Sequence, residues 1–185
     1  MEIIVDTRQQ AGKHEKKHRW LEGHGCKLVR RKLDVGDYMA AGNDGISIDT
    51  KQDVDEVAMN INGRQHARFR EEIKRAATLG VRLIVLVENI YGYGRIEDVA
   101  AWTNTHCKMC ALRYQTHGMA CNPHASGKCP RHKTNKPIQG ARLAKAMQTM
   151  EARYGVEFMF CHPSDAGRVI YELLGGRSDD AGNRS

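Results

Sequence analysis

The chain has 185 residues, six cysteines and a net charge of +7, from 29 Lys and Arg against 22 Asp and Glu. A chain of this length suits one domain with a small insertion and buries about 70% of its unfolded surface, so no disulfide scaffold is required. It contains no run of about 18 apolar residues and starts Met1-Glu2-Ile3-Ile4-Val5 without a basic n-region, so neither a membrane span nor a secretory signal is expected.

Ile3 to Thr7 is a β-branched and apolar run closing in Asp6-Thr7-Arg8, the pattern of a buried first strand. Gln9 to Glu22 is polar and basic, suits a helix or a mobile segment, and is stopped by Gly23 and Gly25. Cys26 to Leu33 reads as a second strand carrying Arg30, Arg31 and Lys32. Gly36 to Lys51 has the form of a β-hairpin whose arms meet at Gly42-Asn43-Asp44-Gly45. Asp53 is the expected N-cap of a helix over Val54 to Ile61, broken at Asn62-Gly63. Arg64 to Leu79 is amphipathic, with Ala67, Ile73, Ala76, Ala77 and Leu79 expected toward the core and Gly80 at the C′ position. Arg82 to Glu88 holds the run Leu83-Ile84-Val85-Leu86-Val87, that of a strand buried on both faces. A short helix over Arg95 to Trp102, a longer one opened by Pro137 and running from Ile138 to Tyr154, a strand over Val156 to Cys161 and a last helix from an Asp165 cap to Leu174 follow. The order is that of a mixed α/β fold with helices covering the central strands, one domain over residues 1–175 interrupted at 103–136, with a polar tail at 176–185.

The hairpin carries the chemistry. If Ala41 faces Gly45 across the turn, counting back sets Asp37 opposite Asp49, with Cβ atoms about 5 Å apart. Alternation puts Asp49 and Lys51 on one face and turns Thr50 to the other. Carboxylates so close repel unless neutralised, and a hard dication that takes carboxylate oxygens and water would do so. A lysine beside that dication has its pKa pulled down and can place or deprotonate the attacking water. Such a centre hydrolyses phosphodiesters. The plainer alternative is turn chemistry, in which Asp is common, on a solvated strand face. The basic balance favours a polyanionic partner, nucleic acid ahead of an anionic membrane.

Between Trp102 and Pro137 the chain changes character. Cys107-Lys108-Met109-Cys110 is a Cys-x-x-Cys unit, and Cys121 and Cys129 follow at ten and seven intervening residues, with His117, His124 and His132 among them. In a reducing compartment these thiols need a purpose other than disulfides. Two thiolate pairs suit a closed tetrahedral Zn²⁺ site from Cys107, Cys110, Cys121 and Cys129, and a histidine in place of one cysteine is the rival set. Lys128, Arg131, His132, Lys133 and Lys136 make the far side basic, as a DNA-gripping loop requires. Cys26 and Cys161 sit in strand patterns as buried apolar groups.

Four blocks, in order, resemble the nuclease domain of the XPF and Mus-type structure-specific endonucleases, the archaeal Hef nuclease included. Val5-Asp6-Thr7-Arg8 resembles the family's opening Val-Asp-x-Arg-Glu, and Val35-Gly36-Asp37-Tyr38 its Gly-Asp motif. Asp49-Thr50-Lys51-Gln52-Asp53-Val54-Asp55 stands in the place of Glu-Arg-Lys-x-x-x-Asp, and Asn62-Gly63-Arg64-Gln65 precedes a helix and the strand ending at Glu88. The resemblance implies a restriction-endonuclease-like α/β fold and Mg²⁺- or Mn²⁺-dependent cleavage of DNA that is branched, flapped or overhanging. It makes Asp37, Asp49 and the Thr50 carbonyl metal ligands and Lys51 the group acting on water. Asp6 either serves a second metal or its water or is a buried turn carboxylate, and Asp55 supports the site or caps a helix. Arg8, Arg64, Gln65 and Arg68 are expected to contact phosphates, Arg64 matching a family arginine and a solvated helix face being the alternative for Arg68; Lys128, Arg131 and Lys133 of the basic insertion are expected to join them. The chain departs from the pattern at Gln9, Asp49 and Thr50, which replace Glu, Glu and Arg. The tandem helix-hairpin-helix module that often follows this domain is not expected after Leu174. The partners expected are DNA and, as an open alternative, a second copy of the chain, in a bacterial or viral cytoplasmic setting. A zinc-containing DNA-binding adaptor that keeps the fold without catalysis, and cleavage of RNA, are the competing readings.

Overall fold

The computed structural model describes residues 1–10, 12–63, 65–114 and 137–176. Its strands are β1 (Glu2–Val5), β2 (Lys27–Arg30), β3 (Tyr38–Ala40), β4 (Asn43–Lys51), β5 (Arg82–Glu88) and β6 (Glu157–Cys161). Its α-helices are α1 (Glu15–Gly23), α2 (Val54–Asn62), α3 (His66–Leu79), α4 (Thr105–Tyr114), α5 (Gly140–Tyr154) and α6 (Ala166–Leu173), with a 3-10 helix at Ile96–Ala101. Among the described residues no helix is long and apolar enough to cross a membrane.

The strands form one sheet in the order β2-β1-β3-β4-β5-β6. β3 is antiparallel to both β1 and β4, while β1/β2, β4/β5 and β5/β6 are parallel pairs. All strands but β3 therefore run one way. The C-terminal ends of β1, β4 and β5 and the N-terminal end of β3 share one edge, where open α/β sheets place their ligands. Val5, Tyr38, Lys51 and Glu88 end or begin strands there, and Asp6 and Asp37 lie one residue beyond.

Helices cover both faces, which is why β5 reads as a continuous apolar run. Leu83, Val85 and Val87 face Phe69 and Ile73 of α3, Val57 and Ile61 of α2, Leu143 and Met147 of α5, and Val99 and Trp102. Ile84 and Leu86 face the other way, with Ile3, Val5, Tyr38 and Ile48, onto Leu21 of α1 and Ile170 of α6. α5 approaches the 3-10 helix so closely that a Cβ on Gly140 would stand 2.2 Å from the Val99 carbonyl oxygen. Cys26 and Cys161 are buried in the second cluster, as their strand patterns imply.

Several boundaries differ from the sequence expectation. The first strand ends at Val5 because the Asp6 carboxylate accepts from the Arg8 backbone N–H, a local bond that closes a turn. The basic stretch after it becomes helical only at Glu15, and the second strand stops at Arg30. In α3 the buried stripe is Phe69, Ile73 and Ala76, and Ala67, Ala77 and Leu79 (53% exposed) face solvent. The i, i+4, i+7 spacing of the larger side chains sets that face, and the alanines do not compete with it. The hairpin turns at Ala41-Gly42, with Gly42 at φ 80°, not across Gly42–Gly45. Ala40 pairs with Asn43, β4 bulges, and Tyr38 pairs with Ile48. The bulge restores the register that sets Asp37 against Asp49. Asp165 stands at the start of α6 without a capping bond from its side chain, whereas Asp53 caps α2 by accepting from the Glu56 N–H at 2.7 Å. The segment expected as a zinc-stapled loop begins as a helix, α4. Its N-terminus is held by Asp55, which accepts from the Thr105 N–H at 3.1 Å and its hydroxyl at 2.7 Å.

Candidate active site

The entry to β3 is built by a glycine. Gly36 has φ 69°, and a Cβ there would lie 2.2 Å from Ser47 Oγ and 3.0 Å from the Ile48 carbonyl oxygen. Only glycine accepts both the left-handed backbone and the contact. This turn lets the Asp37 N–H donate to the Ile48 carbonyl at 2.7 Å while its own carbonyl accepts from the Asp6 N–H at 2.9 Å. Asp37 is thereby tied to β1 and β4 at once.

Past Tyr38 the β3–β4 ladder ends, and the Asp37 carboxylate takes over. Its Oδ2 accepts from the Thr50 backbone N–H at 3.0 Å and the Thr50 hydroxyl at 2.7 Å. Thr50 thus reaches the acidic pair through its side chain, where strict alternation turned it away. Lys51 Nζ donates to Asp49 Oδ1 at 2.8 Å. It also lies 2.6 Å from Oδ2 as an ion pair, although that buried oxygen receives no hydrogen bond of proper geometry. The ammonium stands 5.4 Å from the centroid of the Phe69 ring.

Burial pushes the Asp49 carboxyl up to about 7, with Asp37 and Glu72 adding to the rise and Lys51 opposing it. Burial would lower Lys51, but Asp49 outweighs it and holds the ammonium above its ordinary value. Asp6 is engaged on all sides. Oδ1 accepts from the Arg8 N–H at 2.6 Å and Nε at 2.9 Å, and Oδ2 from Arg8 Nη2 at 2.6 Å and the Leu33 N–H at 3.0 Å. Burial opposes ionisation, but these bonds hold its carboxyl below the usual range. A carboxylate has about four lone-pair sites, and these four donors fill them.

Asp37, Asp49, Thr50 and Lys51 line a cleft of about 230 Å³ together with Asp6, Arg8, Gln65 and Arg68. The expected residues from four separate blocks meet in this one space. Among the described residues no three His, Cys, Asp or Glu side chains converge as a cage for a metal. Mg²⁺ usually takes one or two carboxylates and fills its remaining positions with water and substrate phosphate. Two hard carboxylates, one with a buried oxygen lacking a hydrogen bond, fit that requirement.

The ERCC4 domain model matches residues 5–173. The chain belongs to the ERCC4 domain family. No curated protein sequence matches it. A solved structure of XPF from Aeropyrum pernix is similar over 94% of this chain and 63% of its own, with a TM-score of 0.55 and 19% identity. Another, of XPF from Aeropyrum pernix in complex with DNA, gives 0.56 at 18% identity over 94% of this chain and 62% of that one. At these identities the likeness is one of fold, and this chain spans just under two thirds of the length of the structures it matches.

Two carboxylates of the cleft, Glu56 and Glu72, were not among the residues expected from the sequence. Glu72 Oε1 accepts from the Gly36 N–H at 3.0 Å, steadying the turn before Asp37. Its spacing was a readable signal, since Arg68 and Glu72 fall at i and i+4 on one face of α3, just past its N-cap Gln65. Glu88, at the end of β5, is buried in an ion pair with Lys17 of α1. Cys107 and Cys110 lie three residues apart on α4, and Gln139 Nε2 donates to Cys107 Sγ at 3.2 Å. Arg64, Cys121, Lys128, Cys129, Arg131 and Lys133 lie outside the described residues.

Proposed function

We propose that the chain is a metal-dependent DNA endonuclease acting at branched, flapped or overhanging DNA. The observation that carries the reading is the meeting of Asp37, Asp49 and Lys51 in one cleft whose rim holds Arg8 and Arg68. Asp37, Asp49 and the Thr50 carbonyl are the groups that would hold Mg²⁺ or Mn²⁺, and a dication there supplies Lewis-acid polarisation of the phosphate and neutralises charge in the transition state.

The chain's own residues do the rest. Asp37 presents its carboxylate from a backbone locked at Gly36, so little reorganisation accompanies binding. Lys51, fixed by Asp49 and the Phe69 ring, points an ammonium N–H at the oxygen of the attacking water and so places it for attack. Asp6 acts as a clamp that fixes the Arg8 guanidinium for a phosphate, the turn-carboxylate role in place of metal binding. Arg68 and Gln65 meet the backbone from α3, with Arg64 beside them in sequence. Cys107, Cys110, Cys121 and Cys129, or a histidine in place of one of them, would hold a structural Zn²⁺ that closes the insertion, from which Lys128, Arg131 and Lys133 would grip DNA.

The test is Mg²⁺-dependent cleavage of fork, flap, splayed-arm, four-way and linear DNAs, and a ribose-containing counterpart, by wild type, Asp37→Ala and Lys51→Ala. Cleavage of branched DNA by wild type alone is expected. Equal cutting by all three proteins, or DNA binding without any cutting, would overturn the reading, and the second result would favour the adaptor alternative. Metal analysis of the purified protein, expected to give one zinc per chain, tests the insertion separately.

A further inference from the structure

One wall of the cleft comes from the turn preceding α1, and its buried members are Gln9 and His14, each only 8% exposed. Polar groups so deep are almost always hydrogen-bonded. These are not. His14 Nδ1 has no partner, and the Gln9 amide, beside the Tyr38 hydroxyl, closes no bond of proper geometry. That hydroxyl is instead engaged by His18 Nε2 at 2.9 Å.

Burial and the nearby Lys17 pull His14 down to about 4, so at neutral pH its imidazole is an uncharged donor and acceptor. Gln9 and His14 line the same cleft as Asp37 and Asp49. The cleft is lined by Arg8, Lys13, Lys51 and Arg68 as well as by Asp6, Asp37, Asp49, Glu56 and Glu72, and the cations Arg8, Lys13 and Arg68 are the groups that would meet an anion there. A further buried cation beside the acidic pair would compete with a bound dication, whereas neutral donors do not. Gln9 also stands where the resembled family has a glutamate. A carboxylate there would repel a phosphate, and the amide can donate to one.

We propose that Gln9 and His14 form a second phosphate subsite, donating hydrogen bonds to a nonbridging oxygen of the phosphate next to the one that is cut. The inference rests on the DNA-cleaving reading and deepens it by assigning the neighbouring contact. It makes Gln9 and His14 binding residues with no part in activating water.

The experiment replaces single phosphates by uncharged methylphosphonates on either side of the cut mapped with wild type. Affinity is measured by anisotropy for wild type, His14→Ala, His14→Asn and Gln9→Leu. Losing a hydrogen bond to a charged oxygen should weaken wild-type binding about 10-fold at one flanking position. At that position the penalty should shrink to about 2-fold in His14→Ala and Gln9→Leu, and return in His14→Asn, whose amide nitrogen can replace Nδ1. The penalty is a ratio within each variant, so lowered stability of a variant cancels. Equal penalties in wild type and His14→Ala at every position would overturn the inference while leaving a cleaving wild type intact. A wild type that neither binds nor cuts DNA would overturn the parent reading and the subsite with it.

Discussion

Gly36→Ala is the substitution from which most follows. An L-residue in the left-handed region costs about 1–2 kcal/mol. The added methyl would lie 2.2 Å from Ser47 Oγ and 3.2 Å from the Ile48 carbonyl carbon, and both belong to the paired strand β4. The Ser47 hydroxyl is fully buried and donates to the Val35 carbonyl at 2.8 Å, so pushing it aside strands a polar group, at about 1–3 kcal/mol. Together the loss is about 2–5 kcal/mol, a Tm drop of roughly 5–15 °C for a chain of this size. The strain also falls on the bond from the Asp37 N–H to the Ile48 carbonyl, so cleavage should fall by more than the lost fraction of folded protein. Urea unfolding followed in parallel with kcat/KM reads both effects. Gly36→Ala/Ser47→Ala should recover part of the stability, because the nearest contact is the serine oxygen. A single variant within 0.5 kcal/mol of wild type, with unchanged kcat/KM, would refute the account of this turn.

The remaining predictions concern charge. Lys17→Met leaves Glu88 buried without its cation and should cost about 3–5 kcal/mol in urea unfolding, whereas Lys17→Met/Glu88→Leu should return near wild type. His14 has a folded pKa of about 4, below its ordinary 6.5, so on acidification the unfolded chain takes up this proton first. Its contribution to stability is therefore complete above pH 6.5 and is lost toward pH 4, and His14→Asn should flatten that acid limb in a pH series of melts. Parallel curves would contradict it. Arg68→Ala should make the slope of log K for DNA against log salt shallower by about 1, with little change across DNA sequences.

Much of this could be read from the sequence because the deciding residues are local. That Asp37 and Asp49 meet at one cleft follows from counting along a hairpin, and the count survives an incorrectly placed turn because the β-bulge restores the Tyr38–Ile48 register. β5 announced its burial through an unbroken apolar run. What stayed hidden depends on side chains from distant segments. Nothing in the stretch around Glu88 names Lys17 as its partner, and nothing around Asp55 shows that it holds the start of α4. Thr50 illustrates the limit of alternation. A strand that loses its neighbour offers a free N–H, and the Asp37 carboxylate crosses to meet both that donor and the Thr50 hydroxyl. In α3 the expected face held Ala67, Ala77 and Leu79 and left out Phe69, yet the ring's larger area decides which face is buried.

The claim beneath the nuclease reading is that Asp37 and Asp49 jointly hold one divalent ion. Titration of the DNA-free protein with Mn²⁺, followed by electron paramagnetic resonance, measures this without reference to activity. One bound Mn²⁺ per chain in wild type, abolished or severely weakened in Asp37→Asn and in Asp49→Asn while both stay folded, is the result expected. Undiminished Mn²⁺ binding in both variants, or none in wild type, would contradict it.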